Sequence, residues 1–228
     1  SSAGKSSVSA FSNIFRFKLL FLKGNYWVDT DMVCTQFLNM SEPYLFTSEP
    51  SGKNGYTKEK INAGIIKLPI YSIEASFGVN KCQLSKEKIL SGEIKWGLGP
   101  KTTEALVKKY QLKKFVKPWY FSNSCSCHHW KSLIEDLNWK FYQRIHPNLK
   151  EKINTKKKAQ DHWNNYGRAE GLMGLPYQHL IIRNLKDKPE GNYCIHLWNQ
   201  FWNKEGVNKN DSFQKECLFE QLKRAYLE

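Results

Sequence analysis

The chain has 228 residues, enough for one domain with a substantial core or one domain carrying an insertion. Hydrophobic residues make up 40% and aromatic residues 14%, which excludes a disordered chain, and no apolar run reaches the roughly 18 residues a membrane-spanning helix needs. The formal net charge of +14 predicts attraction to anions, whether nucleotide diphosphates, acidic glycans, anionic lipid surfaces or nucleic acid, without choosing among them.

Residues 1–9 are small and polar and read as a loop entering the first helix. Gly4-Lys5-Ser6 lacks the earlier glycine and the preceding strand of a phosphate-binding loop, and residues 1–10 hold no signal-peptide apolar core. Phe11, Ile14, Phe15, Leu19 and Leu22 then recur at helical spacing, and Gly24 stands where a C-terminal glycine stop belongs. Tyr26-Trp27-Val28 reads as a buried strand, with Asp29-Thr30-Asp31 directly after it. Two carboxylates so placed repel each other unless a cation sits with them, and a hard divalent ion with phosphate in its other positions suits carboxylate oxygen. A bare D-x-D is common, and a polar strand-end turn is the alternative.

The ordered run Ala10-Phe11-Ser12-Asn13-Ile14-Phe15-Arg16, then Gly24-Asn25-Tyr26-Trp27-Val28-Asp29-Thr30-Asp31, resembles the DXD-motif glycosyltransferases of GT-A fold. These are of the capsular-polysaccharide, initiation-specific α-mannosyltransferase and α-1,4-glycosyltransferase type, with the pattern A-x-S-D-x-x-R-Y-x-x-L-x-x-x-G-G-x-Y-x-D-x-D. Asn13 stands where aspartate is usual, and Asn25 replaces the second glycine. The resemblance implies an α/β, Rossmann-like GT-A core that starts after the family's N-terminal βαβ segment. It also implies a nucleotide-diphospho-sugar donor, a glycan or protein acceptor, retention of anomeric configuration, and a place in polysaccharide biosynthesis. Cysteine usage separately reads as a cytoplasmic setting rather than the Golgi lumen. Asp29, Asp31 and Arg16 would be the catalytic set, with Asp31 binding Mn²⁺ or Mg²⁺ directly. Asp29 would act through water or on the ribose or sugar, and Arg16 would form a forked contact to phosphate or sugar oxygens. Asn13 would bind the donor sugar without a carboxylate's charge.

Further along, Met32-Val33-Cys34 is short and apolar, Tyr44-Leu45-Phe46 is a strand candidate, and 51–60 reads as a loop. Ile61-Asn62-Ala63 resembles the family's segment near the donor sugar, with Asn62 suited to sugar hydroxyls; a turn asparagine is the alternative. Trp96-Gly97-Leu98-Gly99-Pro100 precedes a helix expected over 101–110, and Gly99 would line the donor site. Cys125-Ser126-Cys127-His128-His129 lacks the second, separated ligand cluster of a structural zinc site and is not read as one. Residues 137–174 read as a helical insertion that resembles a single copy of a repeat seen in bacterial and large-DNA-virus proteins. It is carried by Tyr142, His162-Trp163 and Tyr166-Gly167, and its lysine-rich 150–158 face reads as solvated.

Cys194-Ile195-His196-Leu197-Trp198-Asn199-Gln200-Phe201-Trp202 matches the family's closing A-x-H-x-W-N-x-x-W, and an amphipathic helix is expected over 212–227. The resemblance makes His196 a third metal ligand beside Asp29 and Asp31, and Trp198 a donor contact; a core histidine is the alternative. Domains follow as a catalytic core of 1–136 and 175–228 around an insertion of 137–174. The six cysteines form no closely spaced even framework and are read as reduced thiols. The composition is compatible with peripheral contact to an anionic membrane surface. Two other readings are an inactive glycan-binding remnant and a basic nucleic-acid-binding domain; against the latter, no RNP, KH, helix-turn-helix or zinc-finger pattern appears.

Overall fold

The computed structural model describes residues 3–51, 58–85, 87, 88, 91, 93, 98–123, 125–176, 178 and 181–227, of which 3–10 by backbone alone. The fold is mixed α/β and divides into two compact units, Ser1–Asn123 with Tyr193–Ile195, and Ser124–Asn192 with His196–Glu228. The boundary thus falls earlier than the expected break at 136, and residues 125–136 and 196–227 group with the helical 137–174 segment. No helix among the described residues is long and apolar enough to cross a membrane.

The first unit opens with α1 (Ala3–Lys23), which already includes 3–9 of the stretch expected to form a loop; residues 1 and 2 lie outside the described residues. Gly24 ends it in a left-handed conformation, φ 65°, with its N–H on the Leu20 carbonyl at 2.8 Å. A Cβ there would lie 2.7 Å from the Ile70 backbone nitrogen, so both the torsion and the space require glycine. Strand β1 (Asn25–Val28) follows immediately, then β2 (Met32–Cys34), β3 (Leu45–Ser51) and β4 (Lys58–Leu68). Helices α2 (Ile73–Leu84) and α3 (Leu98–Lys109) and the short β5 (Val116–Lys117) complete it, apart from a late strand, β6 (Cys194–His196), that pairs with β2. Of the loop expected over 51–60, Ser51 and Lys58–Lys60 are strand, and 52–57 lie outside the described residues.

The main sheet runs β1-β4-β3-β5, antiparallel except for the parallel β3/β5 pair. Both faces are covered, so neighbouring residues of one strand point to different cores. Phe46 and Ile66 join Phe17 and Leu20 of α1, Ala75 and Cys82 of α2, and Leu106 of α3. Leu45 and Ile65 face the other way, with Phe121 and Cys194. Full burial of each Phe, Leu or Ile here contributes roughly 1.5–3 kcal/mol. The β3/β4 register breaks between Phe46 and Ser48. Buried Asn62 fills the break: its Oδ1 accepts from Thr47 Oγ1 at 2.6 Å and from the Gly64 N–H at 3.1 Å, and its Nδ2 donates to the Ser48 carbonyl at 3.2 Å.

The second unit holds α4 (Trp139–Ile145), α5 (Lys156–His162), a single π-helical turn over Trp163–Gly167, α6 (Asn199–Glu205) and α7 (Leu218–Tyr226). Asn138 and Thr155 cap α4 and α5 with their side-chain oxygens. Leu137, Tyr142, Ile153, Ala159 and Trp163 close a small core of their own. The Tyr142 hydroxyl meets His162 Nδ1 at 3.0 Å, and a Cβ on Gly167 would sit 2.3 Å from that hydroxyl oxygen. Of the repeat-like residues, Tyr142, Trp163 and Gly167 are therefore packing residues of this segment, while Tyr166 is exposed and lysines 150, 152, 156, 157 and 158 face solvent. Trp163 Nε1 donates to Asp136 Oδ2 at 2.9 Å, and Arg168 pairs with the same oxygen. Helix α7 is shorter than expected: 212–214 are irregular and 215–217 form a turn and bend before it, with Glu220 accepting from the Phe213 N–H.

Candidate active site around Asp29

The end of β1 meets the middle of α1. Trp27 and Asp29, two residues apart, share the side of the strand that faces the helix. Arg16, on the buried face of α1, reaches across: its Nη2 donates to Asp29 Oδ1 at 2.6 Å and its Nη1 to the Ala63 carbonyl of β4 at 2.6 Å. Trp27 Nε1 donates to the same Asp29 oxygen at 2.7 Å, and the guanidinium lies 4.9 Å from the Trp27 ring centroid. The Asp29 N–H bonds the Gly64 carbonyl at 2.8 Å, and its own carbonyl accepts from Met32 N–H at 3.1 Å, which closes the turn that carries Asp31.

Arg16 is a buried cation, its side chain 7% exposed against 26% for Asp29. Burial lowers its pKa, and the negative charges of Asp29 and, to a lesser extent, Asp31 pull the other way. Asp31 therefore lies within the electrostatic reach of the same guanidinium. Both guanidinium amino groups are engaged inside the fold, so Arg16 acts here by fixing Asp29 rather than by presenting an open fork.

Asn13, one helical turn before Arg16, is buried as well. A Cβ on Gly99 would lie 2.3 Å from Asn13 Oδ1 and 3.2 Å from Arg16 Nη1, so the start of α3 presses its bare backbone against both. Leu98, Gly99 and Pro100 are the first residues of α3, three residues earlier than expected, while Trp96 and Gly97 lie outside the described residues. Gly64 is adjacent too, since a Cβ there would come 3.9 Å from Asp29 Oδ2. Asn62 is near this group, but its amide is engaged in the β3/β4 register break.

His196 and Trp198 belong to the segment assigned to the second unit. Their rings stack at 3.9 Å, and buried Trp198 precedes α6 in a left-handed conformation, φ 55°. In the Cys125–His129 stretch, His129 Nδ1 lies 2.9 Å from Ser126 Oγ, and Cys125 is buried. Among the described residues no three His, Cys, Asp or Glu side chains stand together in a way that would hold a metal ion.

Sequence reasoning placed Asp29, Asp31, Arg16, Asn13, Asn62, Gly99, Trp198 and His196 in one site; Arg16, Asp29, Asn13 and Gly99 stand together, with Asp31 within electrostatic reach, and three partners went unnoticed. These are the Trp27 indole, the Ala63 carbonyl and the bare backbone of Gly64. The first was legible as an i, i+2 relation along a strand; the other two are backbone groups that leave no mark on side-chain patterns. Comparison of the chain with protein-family models, with curated proteins and with solved structures returned no match.

Proposed function

We propose that the first unit is the donor side of a metal-dependent glycosyltransferase, which moves a sugar from a nucleotide-diphospho-sugar to a glycan or protein acceptor with retention. The observation that carries this reading is the clamp on Asp29, held by Arg16 and Trp27 at a strand end with Asp31 in the turn just beyond. Such a turn is preorganised: its acidic groups are set by the fold before any ligand arrives.

The donor set suits Mn²⁺ or Mg²⁺. Both are hard ions held by one or two carboxylates plus phosphate oxygens and water, and so need no third protein ligand. Asp31 would hold the ion directly, and Asp29, already accepting two hydrogen bonds, would orient its water shell. When bound, the ion offsets the negative charge that builds on the departing diphosphate. Arg16 keeps Asp29 aligned through its 2.6 Å hydrogen bond, and its guanidinium adds positive potential on the same side. Asn13, held against Gly99, offers an amide to a sugar hydroxyl. An amide in that place favours one second reading, a glycan-binding remnant without turnover.

The test is titration of the chain with nucleotide-diphospho-sugars in Mn²⁺ or Mg²⁺, followed by an assay for slow donor hydrolysis. Metal-dependent binding that is lost in Asp31→Asn is expected. Binding without hydrolysis in any condition selects the remnant; no binding with either ion refutes the transferase reading.

A further inference from the structure

The six cysteines were read as reduced thiols with no framework. Two of them, 160 positions apart, meet across the β2/β6 pair. The Cys194 thiol donates to the Cys34 sulfur with the two sulfurs 3.4 Å apart. Backbone bonds hold that approach: the Thr35 N–H donates to the Tyr193 carbonyl at 2.8 Å, and the Tyr193 N–H to the Phe121 carbonyl at 2.8 Å. The two thiols have opposite environments. Cys194 is buried with Leu45, Ile65 and Phe121, whereas Cys34 is exposed and lines a cavity of about 540 Å³ with Tyr26, Phe37, Leu38, Met40 and Lys67. An outer thiol open to small molecules with an inner thiol behind it is the arrangement of an attacking and a resolving cysteine.

We propose that Cys34 and Cys194 are an oxidation-sensitive pair that closes to an intramolecular disulfide under peroxide, fastening β2 to β6. The bond needs the sulfurs to move from 3.4 Å to about 2 Å, a small adjustment for side chains on paired strands. Accepting the hydrogen bond from Cys194 draws the Cys34 pKa down to about 7, against the opposing effect of burial, so much of it is thiolate near neutral pH.

The chemistry balances with hydrogen peroxide as oxidant. The Cys34 thiolate attacks one peroxide oxygen, the O–O bond breaks, and hydroxide leaves, giving Cys34 sulfenic acid. The Cys194 sulfur then attacks the Cys34 sulfur, the S–O bond breaks, and water departs with the proton that Cys194 gives up. Two thiols and one peroxide become one disulfide and two waters; the sulfurs lose two electrons and the peroxide oxygens gain them. A dithiol reductant reverses the linkage by exchange. Because β2 leaves the turn that carries Asp29 and Asp31, the bond would fix the strand beyond that turn. The pair stands on its own geometry and does not depend on the glycosyltransferase reading.

The test treats the folded full chain with a small excess of hydrogen peroxide, denatures it without reductant, and maps its peptides by mass. The expected result is a crosslinked Cys34–Cys194 peptide pair that disappears with dithiothreitol. The thiol count of the denatured chain then falls by two, from six to four. Cys34→Ser, at an exposed position, should leave Cys194 as a thiol under the same treatment. The proposal is overturned if Cys34 proceeds to sulfinic acid while Cys194 stays reduced, if another cysteine pairing dominates, or if Cys194 oxidises equally in Cys34→Ser.

Discussion

Removing the carboxylate of Asp29 strands the cation that α1 buries. In Asp29→Ala the Arg16 guanidinium keeps the Ala63 carbonyl but loses the partner at 2.6 Å. Its Nε already has no hydrogen-bond partner among the described residues, and the charge of Asp31 and the face of Trp27 offset only part of the loss. Breaking a buried pair from one side costs about 3–5 kcal/mol. The 26% exposure of Asp29 lets water reach the vacated side and puts the expectation at the lower end, about 3 kcal/mol. Arg16→Met alone should cost less, because a hydrophobic side chain of similar length replaces the cation and the partly exposed carboxylate can hydrate. Combining the two removes the stranded charge, so the double variant should be more stable than the sum of the singles by about 2 kcal/mol. Amide hydrogen exchange read on peptides from β1 and β4 reports this for the first unit alone, whatever the second unit does. A coupling energy under about 0.5 kcal/mol would mean the pair behaves like an exposed ion pair, and the argument that Arg16 is a buried clamp would fail.

Asp31→Asn should show the opposite balance. Metal-dependent donor turnover should fall by about a hundredfold or more, while stability changes by less than about 1 kcal/mol in urea melts, because the residue is half-buried in a turn. Asn62→Ala removes the acceptor of the Gly64 N–H, while Thr47 Oγ1 keeps the Ile65 carbonyl and the Ser48 carbonyl keeps Asn123 Nδ2, so a cost of about 1–3 kcal/mol is expected, visible as lost protection in β3 and β4. In Gly78→Ala the new methyl would lie 2.3 Å from the Phe17 ring, so α1 and α2 must separate; a loss of about 1–3 kcal/mol is expected by chemical denaturation. Burial, and then the charge of His128, lower the His129 pKa below its ordinary value of 6.5. The unfolded chain therefore binds the proton first as pH falls. The second unit should be at full strength above about pH 6.5 and lose stability on acidification toward the folded value. A His129→Gln variant should flatten that part of the pH–stability curve.

The helix, glycine stop, strand and acidic turn over 10–31 were legible because each rests on local chemistry. These are a 3.6-residue apolar period, a residue that tolerates positive φ, a short aromatic run, and a pair of carboxylates directly after it. The strand, expected to be buried, is a half-buried strand at the sheet edge. Helix α2 escaped notice for a physical reason. Its buried face is Glu74, Ala75, Gly78 and Cys82, all but one of them small, while Ile73 and Leu84 face solvent, so no stripe of large apolar residues marks it. Asn62 reads from sequence as either a donor-sugar contact or a turn asparagine; its amide completes a break in strand register, a role that depends on Thr47 and Ser48 of another strand. The Cys34–Cys194 approach was out of reach for the same kind of reason, since no spacing rule connects residues 160 positions apart. The sheet was expected from the family resemblance to be Rossmann-like; it is mixed, with a parallel pair only between β3 and β5.

The return of Tyr193–Ile195 to the first unit has a kinetic consequence. During synthesis from the N-terminus, the apolar surface of Leu45, Ile65 and Phe121 emerges long before Cys194, which covers part of it. The whole of Ser124–Asn192 must leave the ribosome in between. Closing that contact requires a long loop, so the first unit acquires its last strand late and at high contact order. Until then β2 has an open edge beside exposed hydrophobic side chains, the combination that favours intermolecular strand pairing. A chain ended after Asn123 would hold that state permanently, so recovery of soluble first unit should require residues 193–195 to be supplied, either in the same chain or as a separate peptide.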